Sequence, residues 1–264
     1  MVVRTWNLFH GNTSPPGRHA YLREMIELIT ADRPAVVCLQ EVPAWALRKV
    51  GEWAGMQAVP MRTRRGKPLG RRVTALDAGL FRSGLHGQGN VILVPPDATI
   101  RETKGITLNT NPFVEEEGRK LGLETKLVRG WEKERRVCQL AAIELPDRRR
   151  LLVANLHATG NVDRRLADAE LLRAMRFVNR AFEVGETAIV AGDFNLRSQD
   201  SQTIKSLVEA PPEERWSSVG AGIDHVLVRD GQVTASRVWS DDERTFDGKL
   251  LSDHPPVEVT VEIV

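Results

Sequence analysis

The 264-residue chain contains one tyrosine, and aromatic residues make up 5% of it. That leaves no aromatic-rich loop of the kind used to settle on a lipid surface. There are two cysteines, Cys38 and Cys138, each inside an apolar run. They read as buried free thiols rather than a disulfide framework, which suits a reducing compartment. No stretch approaches the ~18 unbroken apolar residues of a membrane span. The start, Met1 to Asn7, has no long apolar core of the signal-peptide kind. The expectation is a cytoplasmic protein. Internal repeats and low-complexity linkers are also missing, so the chain reads as a single domain over 1–264.

What is present is ordinary for a globular chain: 41% hydrophobic and 27% charged residues exclude wholesale disorder. Net charge is only +2, from 29 Arg and 8 Lys against 35 acids, too mild to identify a polyanionic partner by itself.

Short apolar runs of the strand kind alternate with helical patterns. Val2–Leu8, Ala35–Leu39, Gly89–Val94, Arg136–Leu145, Leu151–Leu156, Thr187–Ala191, Gly222–Val228, Val233–Trp239 and Val257–Val264 read as strands. Arg18–Thr30 carries Leu22, Met25, Ile26 and Ile29 at helical spacing. Asp163–Phe182 does the same with Leu166, Ala169, Leu172, Met175 and Val178. Pro43 sits where a first helical turn would begin, predicting a helix from there to Ala54. Gly105–Lys133 is polar and reads as an irregular surface insertion. Many strands with helices early and late predict an α/β domain of packed sheets with helices outside.

Polar residues recur at the ends of the apolar strands: Asn7, Glu41, His157, Asp193 and Asn195, Asp224, and Asp253-His254. Any one of them alone reads as a strand cap or turn residue. Six such positions together predict one cleft at a shared sheet edge. Arg136 opens a strand and reads equally as an exposed edge arginine or a phosphate contact, and Arg135 shares that choice. His10, in the loop after Asn7, reads as a cap of the turn, with contact to substrate as the alternative. His225, next to Asp224, points to the opposite face and receives no catalytic role.

The pieces Thr5-Trp6-Asn7-Leu8, Leu39-Gln40-Glu41-Val42, Asn155-Leu156-His157, Gly192-Asp193-Phe194-Asn195, Gly222-Ile223-Asp224-His225-Val226 and Ser252-Asp253-His254-Pro255 occur in this order along nearly the whole chain. In this the chain resembles the endonuclease/exonuclease/phosphatase superfamily, the DNase I-like fold. The resemblance implies a four-layer αββα sandwich of two mainly antiparallel sheets flanked by helices. It also implies divalent-metal-dependent phosphoester hydrolysis, with Mg²⁺ as the metal and Mn²⁺ as a substitute. Glu41, Asn7 and Asp253 are the expected metal residues, hard oxygen donors suited to Mg²⁺. His157, Asp193, Asn195, Asp224 and His254 are the expected catalytic residues. Asp193 and Asn195 would face the same way in an extended segment, to orient the attacking water. A His254–Asp224 pair would keep an imidazole protonated near neutral pH. The fold usually works as a monomer.

Substrate choice in such a fold lies in the loops. Met61–Arg72 carries six basic residues and no acid. This loop, 62–72, makes nucleic acid, and DNA in particular, the expected partner, with Arg64, Arg65, Arg71 and Arg136 as substrate contacts. The motif set of an abasic-site enzyme is incomplete, because Leu8-Phe9-His10-Gly11-Asn12 follows the first Asn and no tyrosine stands near His157. A small phosphorylated metabolite or a lipid headgroup, such as an inositol phosphate or sphingomyelin, is the alternative substrate.

Overall fold

The computed structural model describes residues 1–63, 87–131, 133, 135–161 and 163–263. Arg64, Arg65 and Arg71 lie outside the described residues. One mixed sheet is built from β1 (Val2–Asn7), β3 (Val36–Pro43), β4 (Gln57–Arg62), β5 (Gln88–Val94), β12 (Gly231–Val238) and β15 (Val257–Ile263). Across it the order is β12-β15-β1-β3-β5-β4, with β1 and β3 the parallel pair. The second is built from β6 (Thr99–Thr107), β7 (Val137–Glu144), β8 (Arg150–His157), β9 (Thr187–Asp193), β10 (Ser217–Ala221) and β11 (Asp224–Arg229). Its order is β10-β11-β9-β8-β7-β6, with β8 and β9 parallel. A small third sheet joins β2 (Thr13–Ser14), β13 (Thr245–Phe246) and β14 (Lys249–Leu251).

The alternation of side chains explains the layers. Val3, Val36, Cys38 and Ile92 of the first sheet meet Ile143, Val153, Ile189 and Val226 of the second in a common buried cluster. The opposite faces lie under helices. Trp6, Val37, Leu39 and Val91 pack with α1 (Leu22–Thr30) and α2 (Val50–Ala54). Leu152, Ala154, Ala188 and Val190 pack with α5 (Arg165–Ala181) and α6 (Gln202–Val208). Each fully buried Leu, Ile or Val side chain contributes on the order of 1.5–3 kcal/mol. No described helix is long and apolar enough to cross a membrane.

Three expectations change. The helix predicted from Pro43 is mostly strand and turn: β3 runs through Pro43, which pairs with Gln88, and only Val50–Ala54 is helical before Gly55 turns left-handed. The stretch from Gly105 is not irregular. It completes β6, then forms α3 (Asn111–Lys120) and α4 (Thr125–Trp131), whose Val114 and Trp131 bury against Leu166. Trp131 Nε1 donates to the buried carboxylate of Glu170 at 2.6 Å, fastening this unit to α5. β4, β6 and β10 were absent from the expected strands; all three are edge-proximal and half-exposed, so their apolar signal is diluted.

Candidate functional site

Toward one end of the sandwich the inward positions of the strands change from apolar to polar. Along β1 the series is Val3, Thr5, Asn7; along β8, Leu151, Val153, Asn155, His157; along β9, Ile189, Ala191, Asp193; along β11, read backward, Val228, Val226, Asp224. Register sets these groups side by side, with His157 opposite Asp193 and Asp193 opposite Asp224. Just beneath them the sheets are stapled together. Gln40 Nε2 donates to Asn155 Oδ1 at 2.9 Å, and Asn155 Nδ2 donates to the carbonyls of Leu39 and Val91 at 3.0 Å each. Every partner is buried, where each net hydrogen bond is worth about 1 kcal/mol and a lost one costs more.

Asp193 is 2% exposed and held by two donors. Asn7 Nδ2 donates to Oδ2 at 2.9 Å and the backbone N–H of Asn195 donates to Oδ1 at 2.9 Å. Burial, reinforced by the charge of Asp224, pushes its pKa up to about 7. Gly192 makes the close approach possible: at φ +148° a Cβ would stand 1.9 Å from the Leu156 carbonyl oxygen.

Asp224 Oδ2 accepts from His254 Nδ1 at 2.7 Å. Burial lowers the affinity of His254 for its proton, but Asp224, with Asp193 and Asp253, outweighs burial and raises its pKa to about 9. Burial raises the pKa of Asp224. The loop carrying His254 is tied down: Ser252 Oγ donates to the Asn7 carbonyl at 2.7 Å, and Trp6 Nε1 donates to the His254 carbonyl at 2.8 Å. His254 Nε2 stands 4.0 Å from both Asp193 Oδ2 and Asp253 Oδ1. Ligand atoms of Asp193, Asp224 and His254 all lie within 4.8 Å of one another, a spacing compatible with a cation.

Glu41 occupies a bulge of β3 at φ +53°. Its Oε2 is 2.8 Å from His10 Nε2, and its Oε1 is 4.0 Å from His157 Nε2. Burial opposes its charge, yet the hydrogen-bonding contact with His10 and the charge of Arg136 hold the carboxyl well below the usual carboxylate range. Arg136 is buried, 6% exposed, and its NH1 is 2.9 Å from His157 Nε2. Because a guanidinium only donates, that nitrogen accepts and the ring proton sits on Nδ1. Burial and Arg136 push His157 well below its ordinary pKa, so the ring is neutral. His157 Nε2 is also 3.5 Å from Asp193 Oδ2, which links Glu41 to the Asp193 group.

Several expectations are refined by this geometry. Arg136 is not an exposed edge arginine, while Arg135 is, bonded to Thr107 Oγ1. His10 is no mere turn residue, being buried against Glu41. The sequence held a hint of this in a histidine beside Gly11, whose φ of +85° allows the tight loop. Asn7 does not stand simply as an oxygen beside Glu41: its amide nitrogen serves Asp193 and its oxygen accepts from Phe9 N–H at 3.0 Å. Asn195 is left-handed at φ +52°, so Asp193 and Asn195 are not parallel in an extended segment, and its amide holds the Ala158 carbonyl at 3.0 Å. Asp253 is 43% exposed at the rim. His225 faces away, bonded to the Leu196 carbonyl at 2.7 Å, as expected. A cleft of about 660 Å³ lined by Glu27, Trp53 and Pro95 shares none of these residues.

Glu41, Asp253 and the Asn7 amide offer hard oxygen donors of the kind a divalent cation takes, while the acid and histidine atoms at mutual cation spacing among the described residues are those of Asp193, Asp224 and His254. Glu41 Oε1 is turned to the site rather than to His10.

The same architecture is found in solved structures. The endonuclease/exonuclease/phosphatase of Beutenbergia cavernae DSM 12333 superposes with a TM-score of 0.70 at 18% identity, over 100% of this chain and 71% of that one. The corresponding protein of Bacteroides vulgatus gives 0.69 at 15% identity, over 100% of this chain and 98% of that one. The catalytic domain of human Nocturnin, solved with a bound sulfate anion, gives 0.67 at 15%, over 100% and 94%. At these identities the likeness is one of fold. No protein of curated function matches the sequence. A sequence model of the Endonuclease/Exonuclease/phosphatase family matches residues 5–254, almost the whole span that builds the two sheets and the cleft. The chain belongs to the endonuclease/exonuclease/phosphatase family, whose members are phosphoester hydrolases of the DNase I-like fold.

Proposed function

We propose that this protein is a divalent-metal-dependent phosphodiesterase that cleaves nucleic acid, DNA in the first instance, through one domain spanning 1–264. The observation that carries the reading is the convergence of Asp193, held by Asn7 Nδ2 and the Asn195 N–H, with the Asp224–His254 pair, whose imidazole Nε2 stands 4.0 Å from Asp193 Oδ2; burial raises the pKa of Asp193, and Asp224, against burial, raises that of His254. Environments that push two titratable groups apart in this way assign a base and an acid. Asp193, oriented by Asn7 and by the Asn195 N–H, accepts the proton of the attacking water. His254, kept protonated by Asp224, donates to the phosphoryl oxygens as charge builds on them. Arg136 adds a fixed positive charge, and the neutral ring of His157 holds its guanidinium in place. Glu41, with Asn7 and Asp253, would hold Mg²⁺ or Mn²⁺, which when bound polarises the phosphate and stabilises developing negative charge.

The substrate part of the reading rests on the basic run 62–72. β4 ends at Arg62, paired with Gly89, and Gly89 pairs in turn with Val42, next to Glu41. The chain leaves the sheet there and returns at Gly87, whose carbonyl accepts from Ala44 N–H at 3.1 Å. The described chain thus leaves and rejoins the sheet beside the Glu41 bulge, and the six basic residues in the sequence of this run support a polyanionic substrate. The relative solved with sulfate carries a tetrahedral anion of phosphate's shape.

The test is cleavage of DNA, of an inositol phosphate and of sphingomyelin, each across a salt series. DNA cleavage should dominate, and log affinity should fall by roughly 0.9 per decade of salt for each phosphate contacted. Efficient turnover of a small phosphate ester, with no DNA binding, would sink the substrate reading and leave the hydrolytic centre.

A further inference from the structure

Two non-glycine residues with left-handed backbone meet across one short contact. Glu41 is at φ +53° and His10 at φ +56°, with Phe9 at +47° and Gly11 at +85° completing the His10 loop. A non-glycine residue in this region is strained and persists only where its surroundings over-determine it. Here they do: Gly11 N–H donates to the Leu8 carbonyl at 2.7 Å, Asn12 N–H and Nδ2 both donate to the Phe9 carbonyl, and Tyr21 N–H donates to the Gly11 carbonyl at 2.8 Å. A Cβ on Gly11 would lie 2.5 Å from Leu22 Cγ, so the loop is also locked from outside. The product of this strain is one contact, His10 Nε2 to Glu41 Oε2 at 2.8 Å, with the imidazole 6% exposed.

We propose that His10 is the positioning residue of the metal centre, its Nε2–H holding Glu41 Oε2 so that Oε1 alone is presented to the divalent cation. The proposal deepens the metal reading above and rests on it. Oε1 is the oxygen on the His157 and Asp193 side, 4.0 Å from His157 Nε2, whereas Oε2 is engaged. A carboxylate able to rotate would offer either oxygen or both, and fixing it removes that freedom before the cation arrives. Outer partners of metal-binding carboxylates are typically worth 10–100-fold in metal affinity. Glu41 comes from β3 and His10 from the β1–β2 connection, so the contact also locks two sequence-distant segments at the cleft.

The test uses Mn²⁺ alone as the probe, with its free concentration read by electron paramagnetic resonance. The wild type, E41Q, H10N and H10Q are compared. Asparagine is among the residues that best tolerate a left-handed backbone, so H10N keeps the loop while its shorter side chain cannot reach Glu41. Glutamine keeps the reach and an N–H donor. H10N should weaken Mn²⁺ binding 10–100-fold, H10Q should restore it to within a few-fold of wild type, and thermal melting should change little in either. Wild-type affinity in H10N alongside loss in E41Q overturns the proposal and leaves the metal reading standing. Wild-type affinity in E41Q overturns the metal reading itself. A histidine nitrogen bound directly to Mn²⁺ in the pulsed spectrum, and lost in H10Q, also overturns the proposal, because His10 would then be a ligand. If H10N does not fold, H10Q decides: Mn²⁺ binding lost there as in E41Q contradicts a role through the hydrogen bond.

Discussion

His254 Nδ1 and Asp224 Oδ2, 30 residues apart in sequence, are 2.7 Å apart across the mouth of the cleft. Asp224 opens β11 while His254 stands in the loop before β15, so the pair ties the second sheet to the first at the reacting end. The carboxylate fixes the imidazole tautomer and keeps its proton. Replacing Asp224 by Asn removes the negative charge with little change in shape. We expect kcat to fall roughly 10²–10⁴-fold, the usual worth of a positioned general acid or base. Steady-state kinetics on a nucleic-acid substrate check this, and a loss under about threefold would contradict it.

The two shifted groups define a pH window. Asp193 must be ionised to accept a proton, so activity rises with pH through about 7. His254 must be protonated to donate one, so activity falls with pH through about 9. The expected profile is a bell with its maximum between them. In D224N the alkaline limb moves to lower pH, because the anion that raises His254 is gone. A profile still rising past pH 10 would rule out His254 as the acid.

Arg136 is expected to act on the substrate's charge rather than on stability alone. Arg136→Ala should lower kcat about 10²–10³-fold, the range seen when one donor to a developing oxyanion is lost. Arg136→Lys should recover little, since a point charge does not reproduce the guanidinium fork beside His157. Full recovery by lysine would show that only net charge matters.

Glu170 tests how the segment after His157 is held. Its buried carboxylate accepts from Trp131 Nε1 at 2.6 Å and from Thr159 N and Oγ1 at 2.7 Å each. Glu170→Ala leaves three donors without their acceptor, so denaturant unfolding should show a loss of about 3–5 kcal/mol. Glu170→Gln keeps part of the acceptor and should lose less. A loss below 1 kcal/mol for alanine would mean that water or rearrangement replaces the carboxylate.

The central elements were legible because burial leaves a plain signal. β3, β8 and β9 carry buried apolar runs; β1, β8 and β9 end in Asn7, His157 and Asp193, and β3 carries Glu41 in its bulge two residues before its end. That change from apolar to polar along the inward face is visible as Asn7, Glu41, His157, Asp193 and Asp224 in the bare sequence. What was not legible depended on long-range packing. Arg136 looks like any strand-edge arginine until His157 is placed opposite Val137. His10 looks like a turn residue until the bulge at Glu41 brings a carboxylate to it. The helices after Gly105 carry few apolar residues of their own and gain their core from Leu166 on another helix. The helix expected after Pro43 failed because that proline fits the strand's terminal position as readily as a first helical turn.

The most direct measurement is nicking of supercoiled plasmid by the wild type and by Asp193→Ala, with Mg²⁺, with Mn²⁺ and with EDTA, at low and moderate salt. Nicking should need the metal, fall with salt, disappear in EDTA and drop at least about 10²-fold in the variant. Nicking that survives EDTA, or that Asp193→Ala retains at the wild-type rate, would contradict the assignment of this cleft as the hydrolytic centre.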